Sequence, residues 1–429
     1  MCASKSRIIG RLACIIVVVL VSHLAAQAQT PDNAALLYYQ AFLEYEGPQF
    51  GAEATTINAF WGGLTDSNEV ITSYLERNRD VIDLLKRADK IDRCDWGYDY
   101  PRLGTNLPAY LAQIRRMAFF LWADAIRRIE LGDFQTAWDH AVTTNKMALH
   151  CYDGTLDSYL DALNANNISF RIIHQALPLA PRDANDLAQL GGDLPRMIAS
   201  APLLAQCIRN DFEINVNRLS RNEVQAVVRQ QLESDLYTDD LDHMTEELSR
   251  AEGEDLPIIR EIVTKLWNAD EAMKRLLQAD ETFFRQNQDN RIRAADRLAS
   301  VIESNLPYAQ TCTALDALSQ QLVEEMLNDP NASLSACDGE LGPMMRRYYN
   351  LTIRSEARFN VVLAALEVYK VLAQTGQLPE TLPPGSPPDP FSGLPFDYVQ
   401  TADGFALSYL PEPEDPTAKI EEYEFKIDQ

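Results

Sequence analysis

An acidic stretch of the chain contains the residues best spaced to hold a metal ion. Asp239, His243 and Glu246 (or Glu247) lie one or two helical turns apart, so in a helix their side chains would project from one face. Carboxylate oxygens and an imidazole suit zinc or manganese. The same spacing also arises in any acidic helix that exposes a charged face to solvent. The sequence therefore leaves two interpretations open, a metal site and a solvated surface.

A second candidate site is a loop in which aromatic and acidic residues alternate. Aromatic rings flanked by carboxylates bind sugars and cationic ligands, and paired carboxylates catalyse glycosidic bond cleavage. In the alternative interpretation, the rings cover a helix bundle and the acids cap helices. The candidate ligand-binding residues are Asp92, Asp95, Trp96, Tyr98 and Asp99.

The sequence contains none of the common catalytic motifs. There is no G-x-S-x-G, no H-E-x-x-H, no phosphate-binding glycine-rich loop and no EF-hand spacing. We therefore assign no catalytic residue and expect no cofactor. This pattern favours a protein that is not an enzyme.

The first 28 residues have the pattern of a secretory signal peptide. A basic start is followed by an apolar run over 12–24, which is too short and too close to the chain start for an ordinary membrane span. Ala26 and Ala28 supply the small side chains of a cleavage site. We expect cleavage after Ala28 and a periplasmic or secreted protein, and the alternative is an uncleaved N-terminal anchor.

The chain is strongly acidic, with 38 basic against 63 acidic residues and a formal net charge of −25. This charge would repel nucleic acid and anionic lipid surfaces. No second stretch is long and apolar enough to span a bilayer, so we expect no stable membrane span once the leader is removed. The expected partners are other envelope proteins.

Five cysteines would remain after the leader is removed, and in an oxidising compartment some of them should pair. Cys312 and Cys337 form the best pair by position, because an Asn-Asp-Pro turn would return the segment between them. Closing this loop would contribute about 3 kcal/mol of stability. Cys94 with Cys151 is a second pair, and the odd cysteine, Cys207, would be buried.

Helical periodicity dominates the chain and predicts a mainly α fold of antiparallel hairpins. Asp32 is expected to cap the first helix. The clearest hairpin lies between Leu107 and His150, where Gly132 ends one helix and Asp133 caps the next. Further helices are predicted over 67–88, 156–176, 184–199, 203–233, 257–304, 313–328 and 341–375.

The C-terminal region beyond Gly376 has a different composition. Six prolines within twelve residues exclude a helix there. Strands are predicted over 396–399 and 405–409 with an Asp403-Gly404 turn, and the alternation of Tyr423, Phe425 and Ile427 predicts a third. We expect a small antiparallel β-sheet packed on the helices. The predicted organisation is a signal peptide (1–28), an N-terminal helical domain (29–205), a long-helix domain (206–378) and a Pro-rich linker with a β tail (379–429).

The hairpin around Gly132 resembles a tetratricopeptide unit. Residues 132–137 match the turn and second helix of that family, and Ala125 lies where the first helix needs a small residue. Ala141 departs from the pattern, because the family usually has a large aromatic residue there. No second copy follows at the 34-residue period, so a plain helical hairpin remains the alternative.

The C-terminal region resembles that of a group of uncharacterised exported bacterial proteins, in which a helix, a Pro-rich turn and an Asp-Pro-Phe-Ser-Gly motif lead into a β-hairpin. The resemblance rests on 369–379, 389–396 and 403–405, with shorter matches at 32–39 and 94–96. The tail is also similar to that of type II secretion pseudopilins, where such a hairpin closes the globular head. Neither resemblance implies a known reaction.

Two functions follow as hypotheses. The first is an exported helical scaffold that binds other proteins through a groove between helices. The alternative is a periplasmic hydrolase or metal-dependent enzyme that uses the 92–100 loop or the Asp239/His243 cluster. A secretion or surface-assembly accessory is a third hypothesis, which the tail alone suggests.

Overall fold

The structure is a computed structural model that describes residues 31–98 except 63, 108–222 except 182, 200–202 and 219, 277–328, and 341–427 except 414 and 416, with the isolated positions 225, 226, 229 and 274. Within these residues the chain forms twelve α-helices and one three-stranded antiparallel sheet, which confirms the predicted fold class. The described chain divides into two compact units, 31–47 with Glu76–Trp96, and Pro48–Leu75 with the chain from Gly97 onward. The predicted leader lies outside the described residues, and the predicted boundaries at residues 205 and 378 do not separate these units.

The first unit pairs helix α1 (Ala34–Glu44) with helix α4 (Arg79–Ala88). Asn33, not the predicted Asp32, caps α1, and its Oδ1 accepts the N–H of Ala35 at 3.2 Å. The same Oδ1 accepts the N–H of Asp95 at 2.9 Å, while Nδ2 donates to the carbonyl of Asp95 at 2.8 Å. An amide carries an acceptor oxygen and a donor nitrogen on one side chain, so asparagine makes all three contacts, whereas the ionised carboxylate of an aspartate could only accept.

The helix predicted over 67–88 is divided into two, because α3 (Glu69–Arg77) ends before Asn78. Asn78 is 1 % exposed, and its amide accepts the N–H of Glu46 at 2.8 Å and donates to the carbonyl of Glu46 at 3.0 Å. Side chains of this kind compete with helical hydrogen bonding. The helix is therefore interrupted at Asn78 because its side chain binds the backbone of Glu46, 32 residues earlier in the chain.

In the second unit, α5 (Ala109–Glu130), α6 (Phe134–Cys151) and α7 (Leu156–Ala176) pack on one another, and α2 (Ala52–Trp61) contacts α5. The predicted turn between α5 and α6 is confirmed. Gly132 has a φ of 74°, and Oδ1 of Asp133 accepts the N–H of Thr136 at 3.2 Å. Alanines let these helices approach closely, and the fully buried ones include Ala118, Ala125, Ala137 and Ala141.

The remaining described helices surround the longest of them, α12. They are α8 (Ala184–Ala199), α9 (Leu204–Arg218), α10 (Glu281–Ile302), α11 (Tyr308–Asn328) and α12 (Leu341–Thr375), with a 3-10 turn at Leu177–Leu179. α12 contacts α7, α8 and α11, and it ends before Gly376 as predicted. Among the described residues, none of the helices combines the length and apolarity that a membrane span requires.

The three predicted strands are confirmed as β1 (Asp397–Thr401), β2 (Gly404–Tyr409) and β3 (Glu421–Lys426), in the order β1-β2-β3. The predicted turn is wrong by one residue, because Thr401 pairs with Gly404 and the turn is Ala402-Asp403. Gly404 belongs to the strand, where a Cβ would lie 2.0 Å from the carbonyl oxygen of Phe425. Glycine therefore lets β3 approach β2.

Aromatic and charged contacts join this sheet to α12. Phe405 packs on Tyr369 with ring centroids 5.4 Å apart. Arg358 lies 3.4 Å from Oε2 of Glu421 and donates to Oδ1 of Asn167 in α7 at 3.0 Å. The sheet thereby gains the helical support that a few strands need for stability.

Candidate functional site

The aromatic loop predicted to bind a ligand packs its central ring into the first unit. Trp96 is 7 % exposed, and its ring stacks on Tyr38 and Phe42 with centroids 5.5 Å and 6.2 Å away. The carboxylate of Asp95 lies 3.1 Å from Arg93. The indole therefore packs against α1.

Three other members of the predicted loop site have separate surroundings or lie outside the described residues. Asp92 is exposed, and Tyr98 belongs to the second unit, where its ring lies 5.4 Å from that of Tyr110. Asp99 lies outside the described residues. The predicted binding site formed by the residues of this loop therefore stays a prediction.

The predicted metal ligands Asp239, His243 and Glu246 also lie outside the described residues, so this site and the enzyme hypothesis that depends on it stay predictions. Elsewhere, within the part of the chain that is described, no three His, Cys, Asp or Glu side chains are grouped to hold a metal ion.

Four cysteines are described, and all four are free thiols: Cys94, Cys151, Cys207 and Cys312. The predicted pair of Cys94 with Cys151 is therefore not formed. Cys151 is buried in α6, and its Sγ lies 3.9 Å from the carbonyl oxygen of Ser158. Burial of the Cys94 thiol, together with the negative charge of Asp95, raises the pKa of Cys94 to about 12. Cys207 is buried as predicted, and the predicted pair of Cys312 with Cys337 is likewise not formed, because Cys312 is a free thiol.

A buried contact between His140 and Asp124 joins the two helices of the α5–α6 hairpin. Nε2 of His140 lies 2.7 Å from Oδ2 of Asp124, and Nε of Arg128, one turn along α5, lies 3.3 Å from the same oxygen. Burial opposes ionisation of Asp124, but the hydrogen bond from His140 and the charge of Arg128 outweigh it and lower the pKa of this carboxyl. The contact therefore fixes α5 against α6.

A pocket of about 690 Å³ lies in the second unit. Its walls come from α7, the start of α9, the connection between α10 and α11, and α12. We call it the α12 pocket. Ligand sites commonly have this volume and predominantly apolar walls. The apolar side chains that line it include Leu163, Leu204, Ile302, Ile353 and Phe359.

Two tyrosines present polar groups inside these walls. The hydroxyl of Tyr159 lies 2.7 Å from Oγ1 of Thr352, and the hydroxyl of Tyr308 donates to Oδ1 of Asn350 at 2.9 Å. Burial raises the pKa of both tyrosines. Both hydroxyls therefore stay protonated, and the ring of Tyr308 stacks on Tyr349 at 5.9 Å.

The carboxyl of Glu356 is the pocket's distinctive charge. Glu356 forms no hydrogen bond or ion pair within the described chain, and burial of its carboxyl raises its pKa although part of the residue is exposed. Glu303, by contrast, lines the same pocket but binds Arg209 through both oxygens at 2.6 Å and 2.7 Å. Glu356 is thus the pocket carboxylate that is left for a ligand.

The rim of the α12 pocket is apolar. Leu203 and Leu306 line the pocket, yet they are 72 % and 41 % exposed. Asn305, next to Leu306, has a φ of 53°, a left-handed conformation that asparagine adopts more readily than most residues and that is common just after a helix.

The Asp-Pro-Phe-Ser-Gly motif closes one side of the same pocket. Asp389 is buried, and its carboxylate accepts the N–H of Phe391 at 3.0 Å and the hydroxyl of Ser392 at 2.6 Å. The loop places Pro390 in the pocket wall and the ring of Phe391 4.8 Å from that of Tyr308. The motif is therefore a turn that fixes pocket residues.

Sequence reasoning did not find the α12 pocket. Its only local signal is Glu356, an acidic residue between the buried Ser355 and Ala357 on a helix with apolar periodicity. The contact between Tyr159 and Thr352 joins positions 193 residues apart. Comparison with protein-family models, with curated proteins and with solved structures found no match to this chain.

Proposed function

We propose that this chain is an exported, non-enzymatic binding protein whose α12 pocket receives a basic amphipathic segment of a partner protein. The observation that carries the proposal is the unpaired carboxyl of Glu356 among apolar walls. Export is expected from the N-terminal leader.

The charge of the ligand follows from the pocket carboxyl. A lysine or arginine that enters the pocket would supply the missing partner of Glu356, and a charge-assisted hydrogen bond is stronger where water is partly excluded. The net charge of −25 adds long-range attraction for a basic partner. An acidic ligand would be repelled on both accounts.

The exposed leucines of the rim favour a protein segment over a small molecule. Leu203 and Leu306 extend the apolar surface outward from the pocket, where a small ligand would not cover them. An amphipathic helix places apolar anchors at helical spacing and covers such a rim while one basic side chain reaches inward. Interfaces of this kind bury an apolar centre inside a polar border.

The proposal is tested with two labelled amphipathic peptides of the same apolar pattern, one with lysine and one with glutamate on the polar face. Fluorescence anisotropy should show binding of the leucine/lysine peptide and not of the leucine/glutamate peptide. We expect Glu356→Gln and Leu203→Ser each to weaken binding by about tenfold, as at interface anchors.

Matched controls separate the pocket from general attraction to an acidic protein. Glu324 is exposed on α11, and Leu131 is exposed at the α5–α6 turn, so Glu324→Gln and Leu131→Ser should leave the affinity unchanged. Circular dichroism establishes that each variant is folded. Equal losses in pocket and control variants would overturn the proposal.

A further inference from the structure

A second pocket, of about 540 Å³, lies beside α12 and is rich in arginine. Arg346, Arg347, Asn350 and Arg354 line it at helical spacing. This spacing places them on the face of α12 opposite Glu356. We call it the arginine pocket. A cluster of guanidinium groups is unusual on a chain with so many acidic residues, and it needs an explanation of its own.

A carboxylate of the chain itself already occupies part of this pocket. Nη2 of Arg354 donates to Oε1 of Glu412 at 2.9 Å, and Nδ2 of Asn350 donates to Oε2 at 2.8 Å. Each carboxylate oxygen thus has its own donor. This is the two-point geometry with which proteins recognise a bound carboxylate.

The backbone that presents Glu412 is in an unfavourable conformation. Glu412 has a φ of 49° and lies between Pro411 and Pro413. A non-glycine residue in the left-handed region costs on the order of 1 kcal/mol. The contacts with Arg354 and Asn350 therefore hold a strained loop in place, and their loss would let it relax.

Donors in the arginine pocket remain after Glu412 is bound. Among the described residues, Arg347 forms neither a hydrogen bond nor an ion pair, and it is exposed. Nε of Arg354 is buried without a hydrogen-bond acceptor, and its ion-pair partner, Oε1 of Glu421, lies 3.4 Å away. Arg346 already pairs with Asp316. The pocket therefore offers more donor capacity than Glu412 uses.

We propose that the arginine pocket binds a carboxylate-bearing anion, and that Glu412 is an internal substitute that the ligand displaces. An incoming carboxylate takes over the two donors of Glu412, gains the charge of Arg347 and releases the strained loop. Competition with Glu412 lowers the apparent affinity of the resting protein. This site is distinct from the α12 pocket, although Asn350 also accepts the hydroxyl of Tyr308, which lines that pocket, and the proposal does not rest on the function proposed for the α12 pocket.

The test is calorimetric titration of the purified chain with succinate, and with inorganic phosphate as a second probe. We expect Glu412→Gln, which removes the competing charge, to tighten succinate binding by about tenfold. In the same background Arg347→Ala should weaken it by about tenfold. Arg116→Ala is the matched control, because Arg116 is exposed on α5 away from the pocket, and it should have no effect.

Three outcomes would overturn the proposal. Absence of succinate binding at millimolar concentration in both the original chain and Glu412→Gln would identify Glu412 as a structural clamp only. An unchanged affinity in Arg347→Ala would remove the assigned recognition group. Phosphate binding as tight as that of succinate, with the same dependence on Glu412, would contradict the assignment to a carboxylate. If Glu412→Gln unfolds, Glu412→Gly, which also tolerates the φ of 49°, replaces it.

Discussion

The carboxylate of Glu356, which we propose to bind a basic side chain, lowers the stability of the folded protein when it is ionised and unpaired. Burial raises the pKa of its carboxyl above the ordinary value of 4.5, and no group of the described chain compensates the charge. The folded protein therefore binds this proton more tightly than the unfolded chain does. By linkage, the contribution of Glu356 to stability declines as the pH rises from 4.5 through the raised pKa.

Replacing Glu356 by a neutral residue should therefore stabilise the protein at neutral pH. Glu356→Gln stays neutral at every pH, so it should raise the melting temperature at pH 7.5 by roughly 1–2 °C, a small gain because solvent screens the partly exposed charge. At pH 4 the carboxyl of the original chain is protonated and the gain should vanish. Thermal melts at both pH values check this, with Glu324→Gln as the variant that should change neither.

At the scale of elements, the α5–α6 hairpin depends on two adjacent residues. Gly132 takes the left-handed conformation that ends α5, and Asp133 caps α6 by accepting the N–H of Thr136. The hydrogen bond from Thr136 lowers the pKa of Asp133. The cap is therefore ionised and intact at neutral pH.

Loss of this cap should destabilise the second unit measurably. We expect Asp133→Ala to lower the free energy of unfolding by about 1 kcal/mol. Asp133→Asn should lower it much less, because asparagine also caps helices. Urea denaturation followed by circular dichroism measures both. Asp139→Ala, within α6 and outside its first turn, should cost clearly less, and an equal loss would mean that capping is not the cause.

For α12, two faces have different roles. One face contributes Glu356 and Ile353 to the α12 pocket, and the other contributes Arg347 and Arg354 to the arginine pocket. A single helix of 35 residues thus carries both candidate sites. Substitutions in one pocket are expected to leave the other unaffected where the residues share no partner.

At the scale of the whole molecule, the predicted export determines its chemical surroundings. We expect protein recovered from an expressing cell with an export pathway to start at Gln29, as cleavage after Ala28 requires. Intact-mass measurement of the purified protein checks this. Recovery with the initiator methionine would contradict the export prediction.

Features of the fold that depend on neighbouring residues were predictable from the amino-acid sequence. The bounds of α7, α8 and α12, the turn at Gly132 and the existence of three C-terminal strands follow from periodicity and from residues that end or cap elements. These signals are local, because helical hydrogen bonds and caps join residues at most a few positions apart.

Features that depend on residues distant in the chain were not predictable from the sequence and became visible in the folded protein. The break at Asn78 needs the backbone of Glu46, the place of Gly404 in β2 needs the backbone of Phe425, and the α12 pocket joins Tyr159 to Thr352. No local pattern records which segments will meet in this way. Which segments pack together is set by burial of apolar surface over the whole chain. Polar groups that become buried in this packing form hydrogen bonds with whatever partners lie nearby, and a group such as the carboxyl of Glu356 is left without one.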